Sequence, residues 1–493
     1  MKWFAKIQTR KLEWVRTWGL GIVLACFIAL LYTHLGRDYL FDWDEGIYAE
    51  LGRELVATRN LVVTTWNGTP WFEKPPGVAW VSALGLALGG TSAFGARLFF
   101  PIIAGYTLFA LYRLGTARGG RQHGILAAAL LAGFALFLSR TRGVNADMPL
   151  LAAIITTLWF LTVEKQPWQV ALAIALGIWF KGPAGLLSVL IAAPLLITKP
   201  KQYLIRLTVY FLLFIIPWHL YAYVTYGQEF LTPYIYEQVF RRATAQIEFH
   251  FETRWYYFTY LFENLGIGVI LVAAIGAIKM VFQLVMSKRP SWEEVSTGIL
   301  PIWWTLVPLA LFTFAKTRLF WYILPIYPGF ALLVTEALTG WSKTKVSRYV
   351  TSMIILGIIL QTFIAAARSV EIRKKTAIPS DRIAAVSQLA LRGVTENLAI
   401  LVPESERRAQ ALLPDVATLS SSFRYGGMPA VVFYYRGPVQ FYYDVDAFDR
   451  DVSGGLTYGL VEKVDAQRLT SPYHVEYESG SVLVIGGRPY AQR

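Results

Sequence analysis

Residues 77–90 read GVAWVSALGLALGG, and whether they cross a bilayer decides the topology of the whole chain. The stretch is apolar, but its fourteen residues follow Pro75-Pro76 and fall short of a crossing, since a spanning helix needs ~17–25 residues. A run of that length reads as interfacial or re-entrant. Outside it, apolar runs fall near 18–36, 95–114, 124–139, 148–163, 168–181, 183–198, 207–225, 258–282, 298–315, 319–339 and 349–367. The expected fold is therefore a polytopic α-helical membrane protein of about eleven spans. Charge supports leaving 77–90 out. The first 17 residues carry Lys2, Lys6, Arg10, Lys11 and Arg16 and should stay cytoplasmic. Alternation then places the basic connectors at Arg113/Arg118/Arg121, Lys165, Lys199/Lys201/Arg206, Lys279/Lys288/Arg289 and Lys343/Lys345/Arg348 on the same inner side. Had 77–90 crossed, those connectors would face out. The first span has no small-residue cleavage site after it and reads as a retained anchor.

From about residue 370 the apolar runs shorten and charges become frequent. Residues 370–493 are expected to form a soluble α/β domain of normal domain size on the outer side. Within it, Val431–Tyr435 and Val482–Ile485 read as buried strands and Ser380–Leu391 as an amphipathic helix. Residues 1–369 form the membrane domain, with outer loops at 37–94, 140–147 and 226–257.

Composition narrows the function. The chain has 493 residues, 55% hydrophobic and 16% charged, with a net charge of +14. A soluble domain carries about 25% charged residues. Lone Cys26 excludes an internal disulfide and a cysteine-based zinc cluster. The basic excess is not a nucleic-acid footprint, which would concentrate on one folded domain. Residues 370–493 hold 14 basic and 14 acidic residues, while the inner membrane segments hold 18 basic against 5 acidic. No P-loop, GxGxxG or HExxH is present.

Chemistry gathers in the outer loops. The first, RDYLFDWDEGIYAELGREL (37–55), crowds Asp38, Asp42, Asp44, Glu45, Glu50 and Glu54. Ile47, Leu51 and Leu55 form one stripe, which predicts a helix over 45–57 along the membrane surface. A solvated acidic loop accounts for Glu50 and Glu54, but not for Asp44 and Glu45 between Trp43 and Tyr48. In WFEKPPG (71–77), two prolines fix the directions of Glu73 and Lys74; the plain alternative is a local ion pair. In RTRGVNADMP (140–149), Asp147 is either a site residue or a helix N-cap before Pro149. Lys181, Arg241-Arg242, Lys316 and Arg318 place cations on the same side, where forked guanidinium and ammonium groups suit a phosphate. Asp444–Asp446 reads as a turn cap, and Asn67-Gly68-Thr69 as a chance sequon. Carboxylates, cations and apolar walls at a membrane surface fit a lipid-linked phosphosugar.

The blocks DEGIYAELGREL (44–55), NGTPWFEKPPG (67–77), ARLFFP (96–101), NADMPLL (145–151), KGPAGLL (181–187) and KTRLFWYILPIYP (316–328) resemble the protein O-mannosyltransferase and aminoarabinose (lipid A) transferase family of type C glycosyltransferases. The resemblance covers roughly residues 36–330 and none of the C-terminal domain. It implies inverting transfer of one sugar from a polyprenyl phosphate to a lipid, glycan or protein acceptor at the outer face of the plasma membrane. By position it implies Asp44 as base, with Asp147 and Glu45 beside it. Lys74, Arg242 or Arg241, and Lys181 would bind the donor phosphate. Tyr48, Trp71, Tyr322 and Lys316 would line the pocket. Glu73 would lie near a divalent metal ion, as in some members. The EQVFRR stretch (237–242) and Trp71 depart from the family pattern. Two rival readings are a transporter or flippase of lipid-linked sugars, which would bury its charges at mid-membrane, and a ligase or polymerase moving whole glycans.

Overall fold

The computed structural model describes residues 21–245, 252–287, 289–339, 380–412, 425–454 and 458–486, together with parts of 349–368. The N-terminal basic segment, the Lys343–Arg348 connector and the boundary near 370 lie outside the described residues.

Residues 21–339 form a helical body around one large apolar core. Among the described residues, six helices are long and apolar enough to cross a membrane, among them Lys201–Tyr226, Tyr256–Met286 and Trp292–Phe314. All eleven expected segments contain helix, but several are short or broken. Gly21–Tyr32 and Asp147–Thr162 are shorter apolar helices. The 124–139 segment divides at Phe134 into Arg121–Gly133 and Ala135–Arg140. Pro167–Lys181 and Leu187–Leu196 are two legs of a reversal. Gly182 takes φ +58° and a 3-10 turn follows over Gly182–Leu186. A Cβ at Gly185 would fall 2.2 Å from the Ile178 nitrogen, an approach only glycine permits. Residues 77–89 form a thirteen-residue helix, too short to span, which packs on Asp44–Thr58: a Cβ at Gly52 would fall 2.7 Å from that of Ser82.

Two groups of partly or fully buried charges lie on this body. At one, Arg118 donates to Thr297 O (2.7 Å), Lys279 to Glu336 O (2.6 Å), and His123 pairs with the Glu336 carboxylate (3.4 Å). The loops at 37–94, 140–147 and 226–245 meet at the other.

The C-terminal residues form a five-stranded mixed sheet in the order β4-β3-β5-β7-β6. The strands are β3 (Leu398–Leu401), β4 (Val439–Tyr442), β5 (Tyr458–Glu462), β6 (His474–Ser479) and β7 (Val482–Gly486); β1 (Thr65–Trp66) and β2 (Thr69–Pro70) form a small hairpin in the first outer loop. Strands β4, β3 and β5 run parallel, while β7 and β6 complete the sheet antiparallel. The helix expected over Ser380–Leu391 forms as Asp381–Leu391 with Ser380 as its cap, and Asp444 caps the helix Val445–Ser453 rather than a turn. Val431–Tyr435 is not a strand. It lies in the helix Ala430–Tyr435, opened by Pro429 and closed by Arg436 at φ +68°. A short unbroken apolar run carries no period to separate strand from helix, and the proline favours a helix start.

This sheet domain does not stand apart. It shares one apolar core with the first outer loop. A Cβ on Gly46 would fall 2.6 Å from Ala430 Cα, so the helices Asp44–Thr58 and Ala430–Tyr435 meet backbone to backbone. Asn67 exchanges two hydrogen bonds with the Val439 backbone, at 2.6 and 3.0 Å. Asp42 accepts from Ala430 N (3.1 Å). The solvated reading of Glu50 and Glu54 therefore fails: both are buried. Glu50 takes the Arg53 fork at 2.6 and 2.7 Å, and Glu54 binds Thr65 and Gly68 N. Docking of the sheet domain over this loop removes the water that the loop sequence alone would suggest.

Candidate active site

A cavity of about 930 Å³ lies where the outer loops, the helical body and the sheet domain meet. Trp43 enters the helix Asp44–Thr58 at φ +69°, a conformation rare for residues other than glycine. The two acids that follow it diverge. Asp44 keeps a side chain 40% exposed, lines the cavity and lies 3.5 Å from Arg140 Nη2. Glu45 also borders the cavity, yet it accepts from Arg97 Nε and Nη2 (2.9 and 2.6 Å) and from the backbone N of Phe41 and Val144 (2.9 Å each). Arg97 also holds the carbonyls of Leu35, Asp38 and Tyr39. Glu45 is thus corrected from catalytic group to anchor: its carboxylate is saturated by a buried clamp.

The 140–147 loop is organised by Asn145, whose amide donates to Arg140 O and Gly143 O and whose Oδ1 accepts from Met148 N (2.9 Å). Asn145 therefore caps the helix Asp147–Thr162, and Asp147 does not. Asp147 instead pairs with Arg140 Nη2 (2.7 Å) and Lys181. Lys181 ends the helix Pro167–Lys181, with Nζ 5.2 Å from the Tyr322 ring centre. Arg140 lies 4.9 Å over Trp321.

Lys74 has no carboxylate within ion-pairing distance among the described residues, and its Nζ lies 5.4 Å over the Tyr48 ring. Burial alone would lower its pKa, but Tyr48, Asp44 and Glu73 around it raise it above the ordinary lysine range, so it stays charged. The local Glu73–Lys74 pair is not formed. Glu73 accepts from Tyr425 OH (2.7 Å) and Gln238 Nε2 (3.2 Å).

The third outer loop holds a π-helical turn, Thr232–Arg241, a geometry that recurs at functional sites. It separates the two arginines. Arg242 enters the cavity, donating to Gln238 Oε1 (3.0 Å) and Tyr322 OH (2.9 Å). Arg241 turns away, 5.8 Å over Tyr236, which corrects it as a phosphate ligand. Lys316 is corrected likewise: its side chain is exposed, and only its backbone serves, donating to Ala243 O (3.1 Å). Trp71 is buried and donates to Tyr425 OH (2.5 Å).

The structure thus gathers Asp44, Asp147, Lys74, Lys181, Arg242, Tyr48, Trp71, Tyr322 and Glu73 around one cavity. Sequence reasoning missed Gln238, Trp321 and the sheet-domain residues Glu406, Tyr425 and Tyr443. Trp321 stood inside the KTRLFWYILPIYP block; the sheet-domain residues follow no motif. Apolar side chains, including Leu150, Leu187, Leu311 and Phe314, form the remaining wall. Leu311 and Phe314 are also exposed on the outer surface of the body. Metal fits poorly. Among the described residues no group of three or more His, Cys, Asp or Glu comes together, and both Glu73 oxygens already accept hydrogen bonds.

The family of dolichyl-phosphate-mannose-protein mannosyltransferases matches residues 73–221. An undecaprenyl phosphate-alpha-4-amino-4-deoxy-L-arabinose arabinosyl transferase of Pseudomonas fluorescens is 29% identical over 348 residues, 66% of this chain and 60% of that protein. The chain spans about three-fifths of the length of the curated arabinosyl transferases it matches. In three dimensions it is similar to ArnT from Cupriavidus metallidurans bound to undecaprenyl phosphate, with a TM-score of 0.75 at 16% identity over 96% of this chain and 99% of that one. It is also similar to the oligosaccharyltransferase of Archaeoglobus fulgidus, with a TM-score of 0.58 at 10% identity over 91% and 70%. The type C glycosyltransferase resemblance carried by the sequence blocks is borne out by these matches, and the chain shares that membrane-embedded fold.

Proposed function

We propose that this chain is a membrane glycosyltransferase that moves one sugar, with inversion, from a polyprenyl phosphate to an acceptor oxygen. The relatives' names point to a sugar donor carried on undecaprenyl phosphate. The single observation that carries the reading is local. Asp44 opens into a cavity that also holds Lys74, Lys181 and Arg242 and whose far wall is apolar. The cations suit the donor phosphate and the apolar wall suits the first isoprenes of its tail. The eleven crossings read from the sequence, with a cytoplasmic N-terminus, support a cavity on the outer, periplasmic side of the plasma membrane.

The mechanism balances without a metal. Asp44 takes the proton of the acceptor hydroxyl. The acceptor oxygen forms a bond to the anomeric carbon from the face opposite the phosphate. The bond from that carbon to the phosphate oxygen breaks, and its electron pair leaves on polyprenyl phosphate. The leaving group gains one negative charge, and Lys74 and Arg242 stand where that charge develops. Asp147 neutralises Arg140 and Lys181 and so fixes their positions around Asp44. The charges come from the connecting loops and helix termini around one cavity, which favours transfer over transport.

The test is incubation of membranes with labelled polyprenyl-phosphate sugars. Label should pass covalently to an acceptor with wild type and not with Asp44→Asn at equal insertion. Movement of labelled lipid between leaflets with no covalent product would establish a transporter instead.

A further inference from the structure

The sheet domain contributes a buried phenol to the site. Tyr425 OH donates to Glu73 Oε1 (2.7 Å) and accepts from Trp71 Nε1 (2.5 Å). Its ring packs edge-on against Trp66, with centroids 4.7 Å apart, and against Trp43 at 6.4 Å. Tyr425 is 2% exposed and Glu73 8%. A carboxylate at that depth needs donors, and Glu73 has two: this phenol and the Gln238 amide. Gln238 in turn accepts from Arg242. A continuous chain therefore runs from Trp71 through Tyr425, Glu73 and Gln238 to Arg242, and Lys74 is attached to it by the peptide bond. Two of the proposed phosphate cations, on different loops, are thus positioned from the sheet domain.

We infer that Tyr425 is a positioning residue. Its hydroxyl fixes Glu73, and through Glu73 it sets Lys74 and Arg242 for the donor phosphate, so that the sheet domain completes the phosphate site rather than bracing the membrane body. This rests on the proposed function. It assigns to a phenol the ordering of Glu73 that a metal ion would otherwise supply, because the residues around Glu73 do not form a metal donor set.

The test compares Tyr425→Phe, Glu73→Gln and the double variant in the full-length protein. Phenylalanine keeps the ring packing on Trp66 and Trp43 and removes only the hydroxyl. Losing a buried hydrogen bond to a charged group corresponds to roughly a ten- to hundredfold effect. That loss should appear, per folded molecule, both in sugar transfer and in affinity for polyprenyl phosphate, and without sensitivity to chelators. The double variant should be no worse than the poorer single variant. Trp71→Phe, which removes the donor to Tyr425 together with part of a buried ring, should give a loss of the same kind per folded molecule and serves if Tyr425→Phe fails to fold. Wild-type affinity and transfer in Tyr425→Phe, or losses that multiply in the double variant, would overturn the inference. A wild type that binds polyprenyl phosphate but transfers nothing would remove the functional reading alone and leave Tyr425 to be judged on binding.

Discussion

Two clusters on the helical body, one around Glu336 and one around Asp147, both bury ionisable groups beside apolar helices, and the second lines the large cavity. In the first, Glu336 meets His123 and Lys279 at 3.4 Å, and Lys279 is further held by the carbonyls of Glu336 and Thr339. Each charge there has a structural partner. In the second, Asp147 neutralises Arg140 and Lys181 in the same manner, but Lys74 is left without a paired carboxylate among the described residues, and Asp44 stays partly exposed. Charge near a membrane surface is therefore not what distinguishes a site. A cation facing a cavity with no paired carboxylate among the described residues, beside a partly exposed carboxylate, distinguishes it.

The comparison is open to challenge in descending order of effect. Asp147→Asn leaves Lys181 buried without its anion and Arg140 with only the more distant Asp44, which costs roughly 3–5 kcal/mol. Transfer should vanish even in the molecules that remain folded. Glu336→Gln should lower thermal stability in the same range but leave transfer per folded molecule unchanged. If Glu336→Gln abolished transfer at normal folding, the two clusters would not differ as described. Lys74→Met removes a cation that no carboxylate among the described residues pairs at close range, so stability should change little while turnover falls roughly 10²–10³-fold. A stability loss with normal turnover would make Lys74 structural.

Gly46→Val drives a side chain into the Ala430 backbone. It should loosen the sheet domain from the first outer loop, measured as faster proteolysis within residues 380–486 and reduced transfer, with the helical body intact. The smallest effect concerns Glu50. Burial, only partly offset by Arg53, pushes its pKa up to about 7. The folded state then holds a proton that the unfolded chain has already released, so this group's contribution to stability falls as pH rises from about 4.5 to 7 and is flat above. A thermal melt series should show that slope in wild type and lose it in Glu50→Gln.

Much of this was legible in the sequence because membrane helices are written in long apolar runs and sidedness in Lys and Arg. Leaving out 77–90 put every chemically loaded loop on one side, and those loops share the cavity. Asp44, Lys74, Asp147 and Lys181 were found because each sits in a short block with prolines, glycines or aromatics that fix its direction. Glu45 was misread because adjacent acids look alike in sequence, whereas successive helix positions point about 100° apart and the Arg97 clamp takes only one of them. Arg241 and Arg242 could not be separated because a π-helical turn changes which of two neighbours faces inward. The sheet domain's part was invisible: Tyr425 lies 352 residues from Glu73, and no local pattern encodes such a contact.

The most direct measurement of the central claim is single-turnover transfer in proteoliposomes loaded with labelled polyprenyl-phosphate sugar, comparing wild type with Asp44→Asn. General-base loss predicts a fall of roughly 10²–10⁴ in the transfer rate, with polyprenyl-phosphate binding and thermal stability unchanged. Equal rates in the two proteins would contradict the account.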